Sequence, residues 1–362
     1  MPVSYEPLNV NTDVTNTKTI LHEVIPLTGT IVSGTYSDEN IKNYTHGMFQ
    51  SVYDYPYLSS SANHIFDISV AYDESSTLSA SSNVQNNKKI NMYNQFAQVL
   101  LGYTGSNNTV RLFEDDLLLD NVGTMQDVFV VSFSRLLTKD QIKKGTFSLE
   151  LGRGAYATAH STTITLQDLK ASTSGDGTLS TIGGDYGVLY DSTASATNAA
   201  NTSSYGVIFY QAGIAILSSS IFDNANVAGY GQFSSGSYLS GAAGNVTTLG
   251  CTASIATSSI SGTCDALRHR ITNLTFNNST EINSTIYFCR LPVNKFNYSS
   301  NPTYTSGSKI RVKDNASDLP VAYASTVGLY NAQNELLAVA KLSEPLKKTP
   351  QNELTIRVRL DY

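Results

Sequence analysis

Apolar and polar residues alternate along several stretches of the chain, and this period of two predicts β-strands. In residues 64–73 the apolar side chains fall on one face, whereas Asp67 and Ser69 fall on the other, as in a half-buried strand. Residues 127–134 are apolar on both faces, which is typical of a strand inside a sheet. Residues 146–151 alternate again and predict a further strand.

The last third of the chain shows one strand pattern after another. The predicted strands cover residues 270–276, 282–291, 309–313, 321–330, 336–342 and 354–361. A polar turn at Asn331–Asn334 joins two of them. In the final strand Ile356, Val358 and Leu360 alternate with polar and basic residues, so we expect one of its faces to be buried.

Apolar residues spaced three and four apart predict a small number of helices. Residues 83–101 follow this pattern and end before Gly102, so we expect an amphipathic helix there. Residues 38–52 predict a short helix that is capped by Ser37 or Asp38.

Two further short helices are predicted from local signals. Thr138 and Gln141 have capping-box spacing, and Gly145 is a suitable stop. The sequence SSSIF (218–222) predicts another short helix. The fold class that follows is mainly β with a few short helices, with β-sandwich-like domains and an α+β N-terminal part.

Composition divides the chain into four predicted segments. They are an extended arm (1–30), an α+β domain (31–170), a low-charge Ser/Thr/Gly-rich β insertion (171–267) and a C-terminal β domain (268–362). The arm contains three prolines, and it either lies across a neighbouring subunit or forms the first edge strand. In the insertion, YGVIFYQAGIAIL (205–217) predicts a hairpin that turns at its second glycine, and residues 236–250 predict a loop or a surface strand.

Charge is sparse and unevenly distributed. Charged residues make up 14% of the 362 residues, compared with about 25% in an average soluble domain. Residues 1–170 carry 11 Lys/Arg and 17 Asp/Glu, whereas residues 268–362 carry 12 and seven. The basic C-terminal part suits either a partner surface or ordinary solvated strand faces. It lacks the strongly basic footprint of nucleic-acid binding, so we expect no nucleic-acid partner.

Compartment signals are few. The start MPVSYEPLNV lacks the layout of a signal peptide, and no run of about 18 apolar residues predicts a membrane span. We therefore expect no membrane partner. The cysteines Cys251, Cys264 and Cys289 show no CxxC spacing, and a single disulfide between the first two stays open.

Motifs that carry catalysis or metal binding are sparse. The five histidines never show HExxH or HxH spacing. The acidic run Glu114–Asp116 could bind a cation, but it lacks EF-hand spacing and favours a solvated loop. The glycines of residues 183–187 lack the GK[ST] of a phosphate loop and predict a turn. We therefore expect no enzyme activity, no cofactor and no metal.

Two reactive-looking positions have simpler structural explanations. Cys289 lies in a predicted strand, IYFCRL, and we expect a buried core thiol rather than a nucleophile. The small basic cluster Arg268-His269-Arg270 is expected to be a solvated or interface edge.

Two C-terminal stretches resemble a known group of proteins. INSTIYFCRLPVNKFNYSSNPTY (282–304), together with residues 325–362, which contain GLYN, a polar turn, ELLAVAKLS-P and a final alternating strand, resembles virion structural proteins of marine and cyanobacterial tailed bacteriophages. Residues 44–67 resemble the same proteins. A more distant resemblance, carried by Glu335–Leu342, Pro345 and Leu354–Tyr362, is to the baseplate wedge protein of T4-like contractile tails.

The resemblance implies a structural component of the virion, in the baseplate or the tail/neck, that is assembled in the host cytoplasm. It implies contacts with other virion proteins and a homo-oligomer, and it transfers no catalytic residue. We expect residues 309–362 to make these contacts through strand edges and basic side chains. The candidate contact residues are Lys309, Arg311, Lys347, Lys348, Arg357 and Arg359.

Three alternatives stay open. A receptor- or glycan-binding tail adhesin fits the 22 tyrosines and the Ser/Gly/Asn loops. A capsid decoration protein is a variant of the structural role. A virion-borne depolymerase is also compatible, because folding can unite distant carboxylates such as those of Glu114 and Asp185.

Overall fold

The computed structural model describes residues 5–26, 38–104, 109–156, 160–172, 178–192, 204–222, 251–298, 304–306, 309–310, 315 and 317–362. Its strands are β1 (Val14–Pro26), β2 (Ile41–Asn43), β3 (Gln50–Tyr53), β4 (His64–Tyr72), β5 (Phe113–Glu114), β6 (Thr124–Met125), β7 (Asp127–Phe133), β8 (Gln141–Ile142), β9 (Ser148–Tyr156), β10 (His160–Gln167), β11 (Thr178–Thr181), β12 (Gly184–Asp191), β13 (Ser204–Phe209), β14 (Ile214–Ser218), β15 (Ile271–Leu291), β16 (Thr305–Ser306), β17 (Lys309–Ile310), β18 (Ala322–Tyr330), β19 (Leu336–Lys348) and β20 (Leu354–Asp361). Its helices are α1 (Val10–Asp13), α2 (Asn86–Leu100), α3 (Arg135–Thr138), α4 (Cys251–Thr257) and α5 (Ile260–Arg268), with 3₁₀ turns at Asp38–Asn40, Leu169–Ser172 and Ser219–Phe222. Strands hold 47% and helical turns 18% of these residues, which confirms the mainly β fold with a few short helices.

The chain divides into two compact units. Unit 1 comprises Met1–Leu21 and Glu281–Tyr362, and unit 2 comprises His22–Thr280. Strand β15 begins in unit 2 and ends in unit 1. The four segments that composition predicts are not tested by this division and stay a prediction.

An antiparallel sheet forms the centre of unit 2, with neighbouring strands in the order β15-β9-β10-β12-β13-β14-β7-β4-β3-β2. Strands β4 and β7 pair from Phe66 opposite Phe133 to Tyr72 opposite Asp127. The hairpin predicted within residues 205–217 is confirmed as β13 and β14. Its turn contains Gly213 with φ of +67°, a conformation that glycine adopts without steric cost.

Helices cover both faces of this sheet. Helix α2 packs on one face, where Tyr93 and Ala97 are buried against Val130 and neighbouring residues. Helices α4 and α5 contribute to the apolar cluster on the other face, which includes Phe66 and Phe133. Because both faces are covered, the central strands are apolar on both sides, and each fully buried large side chain contributes roughly 1.5–3 kcal/mol.

Helix α2 confirms the prediction for residues 83–101 within three residues at its start. It ends where predicted, since Gly102 has φ of +82° and its N–H donates to the carbonyl oxygen of Ala97 at 3.1 Å. The short helix predicted at SSSIF is present as the 3₁₀ turn Ser219–Phe222. Residues 236–250 lie outside the described residues.

The helix predicted over residues 38–52 is wrong. Only Asp38–Asn40 makes a helical turn, and β2 then pairs with β3, with Ile41 opposite Val52. Both of these β-branched side chains are buried. Sheet packing of β-branched residues therefore outweighs the helical spacing in this stretch.

The helix predicted to start at Thr138 is also wrong. Helix α3 ends at Thr138, and Lys139 leaves the helix with φ of 55°. Residues Gln141 and Ile142 form β8, which pairs with β15. Long-range strand pairing therefore overrides a local capping signal.

The two strands predicted at 270–276 and 282–291 are one strand, β15. Its first part pairs with β9, and Asn278 and Ser279 pair with β8, so the polar stretch NNST does not interrupt it. Its last part, from Ser284 to Leu291, pairs with β20. The N-terminal residues 14–26 also neighbour β15 as β1, so the edge-strand alternative for this part of the arm is present.

The basic cluster Arg268-His269-Arg270 was predicted to be a solvated or interface edge, but both of its arginines are buried inside unit 2. Arg268 is 3% exposed, and its guanidinium lies 3.1 Å from the carboxylate of Asp265. Arg270 is 2% exposed and donates to the carbonyl oxygen of Gly152 at 3.0 Å. Internal partners offset the cost of burying these charges.

In unit 1, β18 and β19 form a separate two-stranded hairpin. The predicted turn is confirmed: Oδ1 of Asn331 accepts from the N–H groups of Gln333 at 3.0 Å and Glu335 at 2.8 Å. Strand β19 runs beyond its predicted end to Lys348, with Leu342–Pro345 bulging between paired positions.

Candidate functional site

The β18–β19 hairpin directs one face toward the core of unit 1. This core contains the buried side chains of Leu291, Ile356 and Val358. Partly buried residues from the hairpin, including Val327 and Leu329, pack against it. The alternation that predicts a buried face for the final strand is therefore confirmed.

Unit 1 buries far fewer apolar side chains than it exposes. Among the described residues of unit 1, four apolar side chains are buried and 15 large apolar side chains are exposed. In unit 2, 49 apolar side chains are buried and 12 large ones are exposed. The exposed set includes Tyr323, Leu337 and Val339 on the hairpin, each at least 60% exposed. Exposed apolar surface concentrated in one region is typical of a protein–protein contact site.

The two edges of the hairpin differ in chemistry. Strand β18 has the sequence AYASTVGLY, without a charge or a proline, and β19 is its only partner among the described strands. Strand β19 contains Pro345, four charged residues and a bulge. Natural edge strands are normally protected from pairing by such features, so β18 presents the unprotected edge.

Three of the six predicted contact residues are exposed in the structure. Lys347 and Arg357 are exposed. Arg359 is exposed but lies 2.6 Å from the carboxylate of Asp361 and also donates to Ser284. The hydroxyl of Ser284 also donates to the carboxylate of Asp361 at 2.6 Å, and the hydrogen bonds from Ser284 and Arg359 lower the pKa of Asp361.

The other three predicted residues do not present a described charged group at the surface. Lys348 is fully buried, and its ammonium group donates to Oδ1 of Asn297 at 2.7 Å and to the carbonyl oxygen of Thr349 at 2.9 Å. Lys309 begins β17, but its side chain lies outside the described residues, and so does the whole of Arg311.

Most other cations of unit 1 are paired within the unit. The pairs are Lys18 with Glu281 at 2.5 Å, Arg290 with Asp13 at 2.8 Å and Lys295 with Glu6 at 2.6 Å. Lys341, Lys347 and Arg357 have no acidic partner among the described residues. Sequence reasoning missed Lys341, although its place in the alternating strand β19 gave a signal for exposure.

A cleft of about 260 Å³ opens on the α2 face of the unit 2 sheet. Its walls come from the 44–49 connection, helix α2 and strands β4 and β7. The apolar lining consists of Met48, Phe49, Ile68, Met92, Phe96 and Val130. Four polar side chains complete it: Asp67, Ser69, Gln95 and Ser132.

Strand geometry explains why the cleft has a polar end. Asp67 stands opposite Ser51 on β3 and Ser132 on β7, so polar side chains form a row across three strands. The alternation of residues 64–73 correctly put Asp67 and Ser69 on one face. However, α2 also covers that face, and Ser69 is buried while Asp67 keeps a side-chain exposure of 32%.

Asp67 is held in place through one of its carboxylate oxygens. Oδ1 accepts a hydrogen bond from the hydroxyl of Ser51, and Nε2 of His64 lies 2.9 Å from the same oxygen. The other oxygen, Oδ2, has no hydrogen-bond partner among the described residues. Asp67 is also the only charged side chain among the cleft-lining residues, so its carboxylate can accept a charge-assisted hydrogen bond from a positively charged group.

Aromatic side chains lie beside the cleft. The rings of Tyr44 and His46 stack with centroids 5.1 Å apart, and Phe49 packs 4.8 Å from Tyr44. The hydroxyl of Tyr44 is 3.3 Å from Oγ of Ser51, which links this cluster to Asp67. Burial raises the pKa of the nearby Tyr53, with a further contribution from Tyr44.

The acidic run Glu114–Asp116 is not the solvated loop that was predicted. Glu114 is 4% exposed, and its carboxylate accepts from the N–H groups of Asp120 at 2.9 Å and Asn121 at 3.0 Å. Burial raises its pKa. The carboxylate therefore organises the backbone of its own loop.

Three other sequence candidates take structural positions. The turn between β11 and β12 lies at Ile182 and Gly183, and Gly184, with φ of +96°, begins β12, so the turn predicted for residues 183–187 is confirmed at its start. Asp185 lies 2.6 Å from the ammonium group of Lys144, which lowers its pKa. Cys251 and Cys264 are both buried and form no disulfide with each other, whereas Cys289 is only partly buried.

Comparison with known proteins identified no matching family model, no matching curated protein and no matching solved structure. The described helices include none that is long and apolar enough to cross a membrane. The described residues also contain no group of three or more His, Cys, Asp or Glu side chains that could hold a metal ion.

Proposed function

We propose that this chain is a structural component of a tailed-phage virion, in the baseplate or the tail/neck, that acts through contacts between several copies and with other virion proteins. The proposal assigns the chain a non-catalytic role in the assembled particle. Its sequence support is the resemblance of residues 282–304 and 325–362 to phage structural proteins.

The observation that carries the proposal is the apolar surface of unit 1. In the part of the chain that the structure describes, 15 exposed large apolar side chains of unit 1 against four buried apolar ones reverse the proportion in unit 2. A unit of this kind gains stability when another chain covers it, because removing apolar surface from water is favourable by roughly 25 cal/mol per Å². The uncharged edge of β18 provides the backbone groups for such a contact.

Charge introduced on that edge provides the sharpest test of this contact. Replacing the exposed Ser325 on β18 by Lys (Ser325→Lys) should weaken self-association or incorporation by about tenfold or more, because an edge lysine opposes strand addition. Ser343→Lys makes the same chemical change on the protected strand β19 and serves as the control. Sedimentation velocity measures self-association, and competition between tagged chains during particle assembly measures incorporation.

Mass spectrometry of purified particles tests membership in the virion directly. The proposal expects the chain in several copies per particle and near-normal incorporation of Ser343→Lys. Absence of the chain from particles would refute the structural role. Equal behaviour of the two lysine variants would refute β18 as the contact.

A receptor- or glycan-binding adhesin is the second candidate function. The stacked cluster of Tyr44, His46 and Phe49 favours it, because aromatic faces beside hydrogen-bonding groups are suited to sugar rings. Binding of labelled protein to host cells should then fall after Tyr44→Ala but not after Tyr103→Ala, which changes an exposed tyrosine outside this aromatic cluster. A capsid decoration role instead predicts copies on the head of the particle.

A further inference from the structure

We propose that the Asp67 cleft of unit 2 binds a lysine or arginine side chain from unit 1 of a second copy of this chain. The inference deepens the proposed function and rests on its multi-copy assembly. It names the receiving site, the chemistry of the occupant and the part of the neighbouring copy that provides it.

The cleft matches a basic side chain in both size and chemistry. Its volume of about 260 Å³ is below the roughly 300–1,000 Å³ of drug-sized ligand pockets, and is suited to one long side chain. Lys and Arg bury an aliphatic stem along apolar surface while their charged end meets polar groups. Here Met48, Phe49, Met92 and Phe96 provide the apolar walls.

Asp67 provides the matching charge. Its Oδ1 is occupied by Ser51 and His64, which fix the carboxylate, and Oδ2 is without a partner among the described residues. Ser69, Ser132 and Gln95 line the same cleft and add further polar side chains. A charge-assisted hydrogen bond to an ammonium or guanidinium group is the strongest contact that this set offers.

Charge complementarity points to a second copy as the source of the basic side chain. Unit 2 carries 12 Lys/Arg and 20 Asp/Glu residues, whereas unit 1 carries 11 Lys/Arg and nine Asp/Glu residues. Within unit 1 the exposed cations Lys341, Lys347 and Arg357 have no acidic partner among the described residues. An acidic receiving unit and a basic donating unit in one chain favour a head-to-tail contact between copies.

A head-to-tail contact can be tested by complementation between two defective chains. The first variant, Asp67→Asn, removes the charge of the cleft with little change in shape. The second variant combines Lys341→Gln, Lys347→Gln and Arg357→Gln and removes the donating charges. Each variant retains one intact half of the contact, so each should self-associate more weakly than the unmodified chain, and a mixture of the two should associate more strongly than either variant alone.

Sedimentation velocity at low and moderate salt provides the measurement. We expect each variant to weaken self-association by about tenfold or more relative to the unmodified chain. The equimolar mixture should form a 1:1 dimer and no larger species. Glu74→Gln, which removes an exposed acid of unit 2 away from the cleft, should associate like the unmodified chain. Circular dichroism melting confirms that each variant is folded.

The outcomes separate this inference from the proposed function. Undiminished association of Asp67→Asn, or a mixture that does not form dimers, would overturn the inference. So would an unmodified chain that stays monomeric in this assay. If the chain is detected in particles, the virion role stands whichever of these three results is obtained. Absence from particles would refute that role whatever Asp67 does.

Discussion

Lys89 allows one quantitative prediction about the stability of unit 2. This residue of α2 is 0% exposed, and its ammonium group donates to the carbonyl oxygens of Ile255 at 2.6 Å and Ser258 at 2.9 Å. Both oxygens lie at the C-terminal end of α4, so one buried cation connects two helices. Burial lowers the pKa of Lys89 from 10.5 to about 8.

The lowered pKa determines both the direction and the size of a pH effect. Between about pH 8 and pH 10.5 the folded chain holds Lys89 neutral, whereas the unfolded chain still binds the proton. The unfolded state therefore binds more protons, and the free energy of unfolding rises with pH across this window. One pH unit corresponds to about 1.4 kcal/mol, so the full contribution of Lys89 is about 3 kcal/mol.

The measurement compares the unmodified chain with Lys89→Met. Urea unfolding followed by far-ultraviolet circular dichroism at pH 7, 8, 9 and 9.5 gives both free energies of unfolding. Their difference should change by about 2 kcal/mol in favour of the unmodified chain between pH 8 and 9.5, because tyrosine ionisation affects both proteins equally.

The neighbouring Lys88 provides a matched control. It lies on the same helix and donates to the carbonyl oxygen of His46 from an exposed position. Lys88→Met makes the same chemical change at an exposed position of α2, so its difference from the unmodified chain is the reference curve for the loss of one lysine. A flat difference curve for Lys89→Met would show that Lys89 has an ordinary pKa and would refute the reasoning.

Two further predictions concern buried polar groups. The buried carboxylate of Asp168 accepts hydrogen bonds from the N–H groups of Gly145 at 2.7 Å and Phe147 at 3.0 Å and from the hydroxyl of Tyr210 at 3.0 Å. Asp168→Ala removes these bonds and should lower the free energy of unfolding of unit 2 by about 3 kcal/mol. Urea unfolding would measure this loss. Lys348→Ala should destabilise unit 1 by about 2 kcal/mol, whereas Lys347→Ala should change the stability of a monomer by less than about 0.5 kcal/mol. Equal thermal melting of these last two variants would contradict the assignment of Lys348 as an internal polar contact.

Strand prediction succeeded where the alternation was long and matched the burial. The final strand, the hairpin around Asn331 and the apolar run of residues 127–134 all occur as predicted. In each case the period of two coincides with a buried face, or with burial on both faces. The sequence pattern and the packing energy therefore favour the same structure.

Helix prediction failed where the helical signal was local and the competing pairing was distant. Residues 38–52 have helical spacing, but Ile41 and Val52 gain burial as neighbours in a sheet. Thr138 and Gln141 have capping-box spacing, but Gln141 pairs with Ser279, well over a hundred residues away. Such distant partners leave no trace in a short window of sequence.

The candidate sites were predictable only in part. Alternation indicated which residues of β19 and β20 are exposed, including Lys347 and Arg357. It could not show that Lys348 is buried, because that depends on Asn297 in a separate connection. The Asp67 cleft could not be predicted from the sequence either, because it forms only where β4, β7, α2 and the 44–49 connection meet in the fold.

The thin core of unit 1 links its folding to its contacts. A two-stranded hairpin is at best marginally stable in water, and β18–β19 has only a small apolar cluster beneath it. Ion pairs such as Arg290–Asp13 connect the N-terminal segment to the rest of unit 1. Partly exposed pairs of this kind contribute little to the free energy of unfolding. A partner that binds only the folded hairpin would stabilise it in proportion to the logarithm of its concentration. If such a partner binds, the conformation of β18 and β19 in unit 1 depends on assembly, whereas unit 2 buries 49 apolar side chains among its described residues and relies less on a partner for its core.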